Sequence, residues 1–323
     1  MPSEFELIAR YFTRPTNHTV LGAGDDGAIV RPSPGMELVV STDMLVAGTH
    51  FLPDADPEAL GWKSLAVNVS DLAAMGAQPR WGLLAASLPE ADEGWIAAYA
   101  RGFFACASAF GVDIIGGDTT RGPMNFCVSI FGEVFPGRAL LRSGAAPGDQ
   151  IWISGAPGRA ALALAHLQGR CTLGEAVLGD CLEALHRPQP RSSLGLALTA
   201  LASAAIDVSD GVLADLGHVL DRSAVGATIY AERLPDAAMR ACPHDPALAR
   251  QCLLAGGDDY ELVFTAAPAR HAAITDLATA LGLALTCIGK ITDRAPGEST
   301  QLTLLDVDGN SLSMPRRGFD HFG

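Results

Sequence analysis

No C-x-x-C pair occurs in this 323-residue chain, and its seven cysteines (Cys106, Cys127, Cys171, Cys181, Cys242, Cys252 and Cys287) are scattered and odd in number. That spacing excludes a zinc knuckle and offers no disulfide framework, so a reducing cytoplasm is the expected setting. Positive charge is scarce too: 22 Lys and Arg stand against 36 Asp and Glu, a formal net charge of −14, with no basic run. A nucleic-acid backbone is therefore not an expected partner. Long apolar runs are missing as well. The longest, Leu194 to Ile206, is too short and too interrupted by Ser and Thr to span a bilayer, so no membrane is expected. The opening SEFELIARYF has capping-box spacing at Ser3 and Glu6 and an apolar helical face of Phe5, Ile8 and Phe12, unlike an export signal. The sequons at Asn17 and Asn68 are then chance matches. No G-x-x-x-x-G-K-[ST] occurs, which excludes a P-loop.

What the chain has is apolar content, 49% of residues, and length enough for two domains of common size. β-like runs at 37–41, 112–115 and 126–134 alternate with helical stretches at 57–75 and 94–110, which predicts an α/β first half. Asp56 suits the N-cap of the 57–75 helix, Pro57 its first position and Gly76 its C-terminal cap, and Pro79 stops continuation. The Gly/Pro/Ala-rich segment 136–150 reads as a junction, so domains of 1–137 and 148–323 are expected. The second half repeats the mixed pattern, with helices near 160–168, 194–202 and 211–220 and strands near 150–154, 228–230, 261–265 and 301–307.

Six acidic clusters next to Gly, Ser or Thr mark the chain: Asp25 with Asp26, Asp43, Asp71, Asp118, Asp207 with Asp210, and Asp258 with Asp259. Several follow apolar runs (ELVVSTD, VDIIGGD, SAAIDVSDG, LLAGGDD), which predicts carboxylates at the ends of core elements. Two carboxylates about 4 Å apart at an effective dielectric near 20 repel by roughly 4 kcal/mol, so convergence would require cations. Oxygen-only donors favour magnesium, which pairs carboxylates with substrate phosphates. In the 57–75 helix Ser64, Asn68 and Asp71 form a polar stripe, read either as a solvated edge or as Asp71 facing a ligand. The segment 41–43 reads either as a turn or as several oxygens offered to one ion. Gly22 to Gly27 matches the dinucleotide fingerprint G-x-G-x-x-G, but Asp25 and Asp26 would oppose a pyrophosphate, and 28–32 looks like a strand and not a helix.

Together the segments FELIARYF, GAGDDGAIV, STDMLVAGTHF, KSLAVNVSDLAAMGA, IIGGDTTRGP, LRSGAAPGD, IDVSDGVLADLGH, GGDDYEL and RGFDHF closely resemble the thiamine-monophosphate kinase family, nearly end to end. That family lies in the superfamily of aminoimidazole ribonucleotide synthetase and selenophosphate synthetase. The resemblance implies a two-domain aminoimidazole ribonucleotide synthetase-like α/β fold, mixed sheets flanked by helices, and a homodimer joined through the N-terminal domains. It also implies ATP-dependent phosphorylation of thiamine monophosphate with several magnesium ions. Carried over, Asp26, Ser41, Thr42, Asp43, Asp71, Asp118, Asp207 and Asp210 match metal positions, with Asp43, Asp71, Asp118 and Asp210 central to catalysis. Gly117, Asp118, Arg142 and Ser209 match ATP contacts, and His50, Asp258 and Phe319 match the site for the thiamine end. At 258 the family usually has Glu, and at 319 it uses Trp or Tyr as well as Phe. Without the family match, His50 reads as a core histidine, Phe319 as an anchor for the tail and Arg142 as a linker contact, while Asp25, Asp215 and Asp259 read either as caps or as partners that support the ligand-binding residues. Alternatives are another ATP-using synthetase of the superfamily or a non-catalytic magnesium-nucleotide binding module.

Overall fold

A computed structural model describes residues 4–294, 301–313 and 318. The chain divides into two compact units, one of 1–72 and 77–138, the other of 73–76 and 139–323. The first contains α1 (Glu4–Leu7, continued as a wider turn over Ile8–Phe12), β1 (Thr19–Leu21), β2 (Ile29–Val30), β3 (Glu37–Val46), α2 (Pro57–Ala74), β4 (Gln78–Leu88), α3 (Glu93–Phe110), β5 (Asp113–Arg121) and β6 (Asn125–Val134); the last residues of α2 fall in the second unit. Its sheet has the order β3-β6-β4-β5, with only the β4/β5 pair parallel.

α2 starts where Asp56 accepts the Ala59 N–H at 2.8 Å, and it stops at Gly76, whose φ is 65°. α3 is capped by Asp92, which accepts from Gly94 and Trp95. Both helices cover one face of the sheet. Tyr99 of α3 stacks on Phe126 of β6 at 4.4 Å between ring centroids, and its hydroxyl meets Ser64 of α2 at 2.7 Å. The two helices approach closely because each has a glycine at the contact. A Cβ at Gly61 would lie 2.0 Å from the Tyr99 carbonyl oxygen, and one at Gly102 1.7 Å from that of Glu58.

The second unit contains β7 (Gln150–Ser154), α4 (Arg159–Leu167), α5 (Glu175–His186), α6 (Ser192–Leu198), β8 (Ala204–Asp207), α7 (Val212–Ser223), β9 (Gly226–Tyr230), α8 (Ala237–Ala241), α9 (Pro246–Ala255), β10 (Leu262–Ala266), α10 (His271–Leu281), β11 (Leu285–Thr292) and β12 (Leu302–Leu305). The sheet order is β12-β9-β11-β7-β10-β8, parallel only at β12/β9. Alternation along β7 serves both faces. Ile151 and Ile153 enter a core with α4, α7 and α9, while Trp152 enters another with Phe264, Leu194, Leu198 and Ile274.

Several elements differ from the sequence expectation. β1, β4, β8, β11, α5, α8, α9 and α10 were not anticipated, and the helix expected over 194–202 is the shorter Ser192–Leu198. β3 runs on to Val46 and β5 to Arg121, so Asp43 and Asp118 lie inside strands and not at element ends. The turn reading of 41–43 is thereby excluded. Replacing Gly102 with Ala is expected to lower stability by about 1–3 kcal/mol in urea denaturation, because the added methyl meets backbone that cannot swing aside. A change within about 0.5 kcal/mol would contradict the close crossing of α2 and α3.

Candidate functional site

Where α2 passes over β3, hydroxyl, amide and carboxylate groups are assembled by the fold itself. Odd-numbered residues of β3 face the helix, and Ser41 Oγ donates to Asp71 Oδ2 at 2.5 Å. Two residues on, the Asp43 N–H donates to Asn68 Oδ1 at 3.0 Å, while Asn68 Nδ2 donates to the Ser64 carbonyl at 3.1 Å. Ser64 and Asn68 are fully buried. The polar stripe of α2 is therefore no solvated edge: its first two members tie α2 to α3 and β3, and the third, Asp71, meets Ser41 beside Asp43.

Thr42 turns to the opposite face, where its Oγ1 donates to the Val128 carbonyl at 2.9 Å and lies 3.0 Å from Ser129 Oγ. Asp118 is on that face as well. The register sets it level with Ala85, Cys127 and Met44 in successive strands, and paired residues share a face. Three inter-strand spacings of about 4.8 Å put Asp118 about 14 Å from β3. Within one copy it does not join Asp43 and Asp71. The neighbouring Gly117 has φ 153°, and a Cβ there would lie 1.8 Å from the Leu84 carbonyl oxygen, so this turn of the strand accepts only glycine.

Asp25 and Asp26 sit on an exposed loop between β1 and β2, and both flanks of this hairpin are fastened by buried carboxylates. Asp113 accepts from the Asn17 N–H at 2.9 Å, the His18 N–H at 2.6 Å and Thr19 Oγ1 at 2.8 Å. Glu133 accepts from the Ser33 N–H at 2.5 Å, Ser33 Oγ at 3.0 Å and Arg80 Nε at 2.8 Å. Burial by itself would raise the Glu133 carboxyl, but these donors outweigh it and hold the group below its ordinary value. No helix follows the glycines, so the dinucleotide geometry is absent. His50 follows β3, and its Nδ1 accepts the Val46 N–H at 2.9 Å, which leaves the ring proton of the neutral form on Nε2.

In the second unit Asp207 ends β8, buried, and Ser209 and Asp210 follow in the turn into α7. Asp215 Oδ2 accepts three successive backbone N–H groups, from Ser209 at 3.1 Å, Asp210 at 3.0 Å and Gly211 at 3.0 Å. Burial, with the Asp210 charge second, pushes the Asp215 carboxyl up to about 7 against those three donors. Asp258 is held at φ 69° and accepts the Tyr260 hydroxyl at 3.1 Å. Such left-handed backbone at a non-glycine residue is strained and persists where its surroundings enforce it. Asp259 accepts the Gly158 N–H at 2.6 Å, ahead of α4, and desolvation pushes its carboxyl well up. Glu261 is buried in a fork with Arg191, at 2.6 and 2.5 Å, and also accepts Ser154 Oγ at 2.6 Å. Arg142 is exposed, and Phe319 lies outside the described residues.

Sequence reasoning missed Asp113, Glu133 and the Arg191–Glu261 pair, because each acts on a segment roughly 70 to 100 positions away. Among the described residues, no three His, Cys, Asp or Glu side chains gather as a metal cluster, and no helix is long and apolar enough to cross a membrane.

The descriptions "AIR synthase related protein, N-terminal domain" and "AIR synthase related protein, C-terminal domain" match residues 24–134 and 146–300. The two α/β units with mixed sheets are thus those of the AIR synthase related proteins. Thiamine-monophosphate kinase of Escherichia coli (strain K12) is 44% identical over 323 residues, covering 99% of this chain and 98% of the relative. The crystal structure of thiamine-monophosphate kinase from Stenotrophomonas maltophilia K279a matches with TM-score 0.83 at 46% identity and 95% coverage of both chains. A structure described as AaThiL complexed with AMPPCP and TMP matches with TM-score 0.78 at 29% identity, over 92% of this chain and 91% of that one. Within this class, the chain belongs to the thiamine-monophosphate kinase family.

Glu133 also generates a pH prediction. Because its folded carboxyl is lowered from 4.5, the ionised form stabilises the fold above that pH, and the contribution is lost as pH falls through 4.5 and below. Melting temperature measured from about pH 6 down to about pH 3 should therefore fall more steeply in the wild type than in Glu133→Gln. Parallel curves would show that the carboxylate has no such role.

Proposed function

We propose that this chain transfers the γ-phosphoryl group of ATP directly and in line to thiamine monophosphate, assisted by magnesium. The observation that carries this reading is the junction of Ser41, Asp43 and Asp71 where α2 crosses β3, a set of hard oxygen donors of the kind magnesium accepts. Magnesium would supply charge neutralisation for the donor and acceptor phosphates. Asp26, on its anchored loop, and Thr42 are assigned to the same role, as are Asp207 and Asp210 in the second unit. Gly117, Asp118, Arg142 and Ser209 are assigned to ATP, and His50, Asp258 and Phe319 to the thiamine end.

The acceptor is a phosphate monoester with a second pKa near 6, so its attacking oxygen is largely unprotonated at pH 7. Positioning and charge neutralisation then suffice, and no side chain has to remove a proton. His50, with Nδ1 occupied by the Val46 N–H, serves in this reading as an Nε2 donor and not as a base. Seven free thiols fit a reducing, cytoplasmic setting.

A homodimer is part of the proposal. Leu38, Val40 and Met44 leave an apolar outer face on β3, with exposures of 43%, 58% and 52%, and Asp118 lies on that same face. A second copy seated there would bury the apolar surface and bring its Asp118 toward this copy's Thr42, on β3, the open edge strand of the sheet. In this reading the two faces meet around that open edge, and each site takes Asp71 from one copy and Asp118 from the other.

Mass spectrometry should detect thiamine diphosphate formed from ATP, magnesium and thiamine monophosphate, and Asp71→Asn should reduce the rate about 100-fold or more, ~2.7 kcal/mol of barrier. Activity equal to wild type would show that Asp71 is misassigned. Co-expressed Asp71→Asn and Asp118→Asn chains should recover about a quarter of wild-type activity, since half the dimers are mixed and each has one intact site. No recovery, with both variants folded and dimeric, would place Asp71 and Asp118 of one copy in the same site.

A further inference from the structure

Beyond the ends of β8 and β10 two loops continue side by side. The Val208 N–H donates to the Glu261 carbonyl at 2.8 Å, the Tyr260 N–H to Val208 at 2.9 Å and the Asp258 N–H to Ser209 at 2.9 Å. Gly257 permits this approach, since a Cβ there would lie 2.3 Å from the Ser209 carbonyl oxygen. The turn through Ser209, Asp210 and Gly211 leads directly into α7, a twelve-residue helix whose N-cap, Gly211, has no side-chain cap. Successive backbone N–H groups at such a helix start are the usual cradle for a phosphate. Here the N–H groups of Ser209, Asp210 and Gly211 all point to one oxygen of Asp215, from the first turn of α7, which is 2% exposed.

We infer that Asp215 is a positioning residue: its carboxylate occupies the anion cradle at the start of α7, so that Ser209 and Asp210 form a ledge that receives phosphate through a cation and not through backbone N–H groups. A phosphate approaching the turn finds those donors engaged and two carboxylates beneath and beside it. The same carboxylate fixes the peptide planes from which the Ser209 hydroxyl and the Asp210 side chain project. Charge-assisted bonds to N–H groups are stronger than neutral ones, so the neutral isostere would hold the turn less firmly and oppose an anion less. A helix cap alone would have neither consequence for ligands. This inference rests on the assignment of Ser209 and Asp210 to the ATP and metal site.

The test measures Mn2+ binding by electron paramagnetic resonance in the presence of ATP, and ATP binding by calorimetry in EDTA, on the full chain at about pH 8.5, where the Asp215 carboxyl is ionised. Asp215→Asn should weaken Mn2+ binding about tenfold, as loss of a group supporting metal ligands does, and strengthen metal-free ATP binding several-fold. Asp215→Glu keeps the charge, and should weaken Mn2+ binding without the gain in metal-free ATP binding; it also serves if Asp215→Asn fails to fold. Asp210→Asn should weaken Mn2+ binding by itself. If Asp210→Asn binds Mn2+ like wild type, the assignment of the ledge falls. If Asp210→Asn is weakened while the Asp215 variants show neither change, only the role of Asp215 falls.

Discussion

Carboxylates drawn together inside a protein repel one another unless something neutralises them, and the arrangement of this chain depends on how that neutralisation is supplied. One set is anchored by backbone N–H groups. Asp113, Glu133, Asp215 and Asp259 each accept N–H groups, from Asn17 and His18, Ser33, the turn at 209–211, and Gly158 respectively. These groups hold the loops that carry the other aspartates: Asp26 lies between the first two anchors, and Asp210 and Asp258 lie on the paired loops beside Asp215 and Asp259. A second set, with Asp43 and Asp71 at its centre, lies among hydroxyl and amide groups, where a divalent cation can complete the balance.

This division accounts for the chemistry assigned to the family. Phosphoryl transfer between two anions needs alignment and positive charge more than it needs a base or a nucleophile. A net charge of −14 opposes the approach of two anionic substrates, which is why the proposed site is one where cations would supply positive charge at the point of contact. The buried anchors keep the loops in place while that charge is absent, and the ledge at Ser209 and Asp210 extends the same logic into the second unit.

Much of the fold was legible in the sequence, for reasons particular residues make clear. α2 was readable because Asp56, Pro57 and Gly76 act within a turn of its ends, and β7 because its apolar run is bounded by loop residues. β4 was not, since Pro79 near its start reads as a stop although the strand runs on from Gln78 to Leu88. β3 was cut short because Leu38, Val40 and Met44 make its outer face apolar as well, which hides the alternation that would have carried it past Asp43. The face on which Asp118 lies is a matter of register with β4, β6 and β3, a long-range property with no local signal. An anchoring carboxylate such as Asp113 looks the same in sequence as a cation-binding one, because its partners lie nearly a hundred residues away.

The most direct test is a crystal structure of the chain with manganese, a non-hydrolysable ATP analogue and thiamine monophosphate, with the metal located by anomalous scattering. Manganese peaks about 2.1 Å from carboxylate oxygens of Asp43 and Asp71, bridging the phosphates of both ligands and approached by Asp118 of the second copy, are the predicted result. Phosphates bound to these loops with no metal at Asp43 or Asp71 would contradict the account.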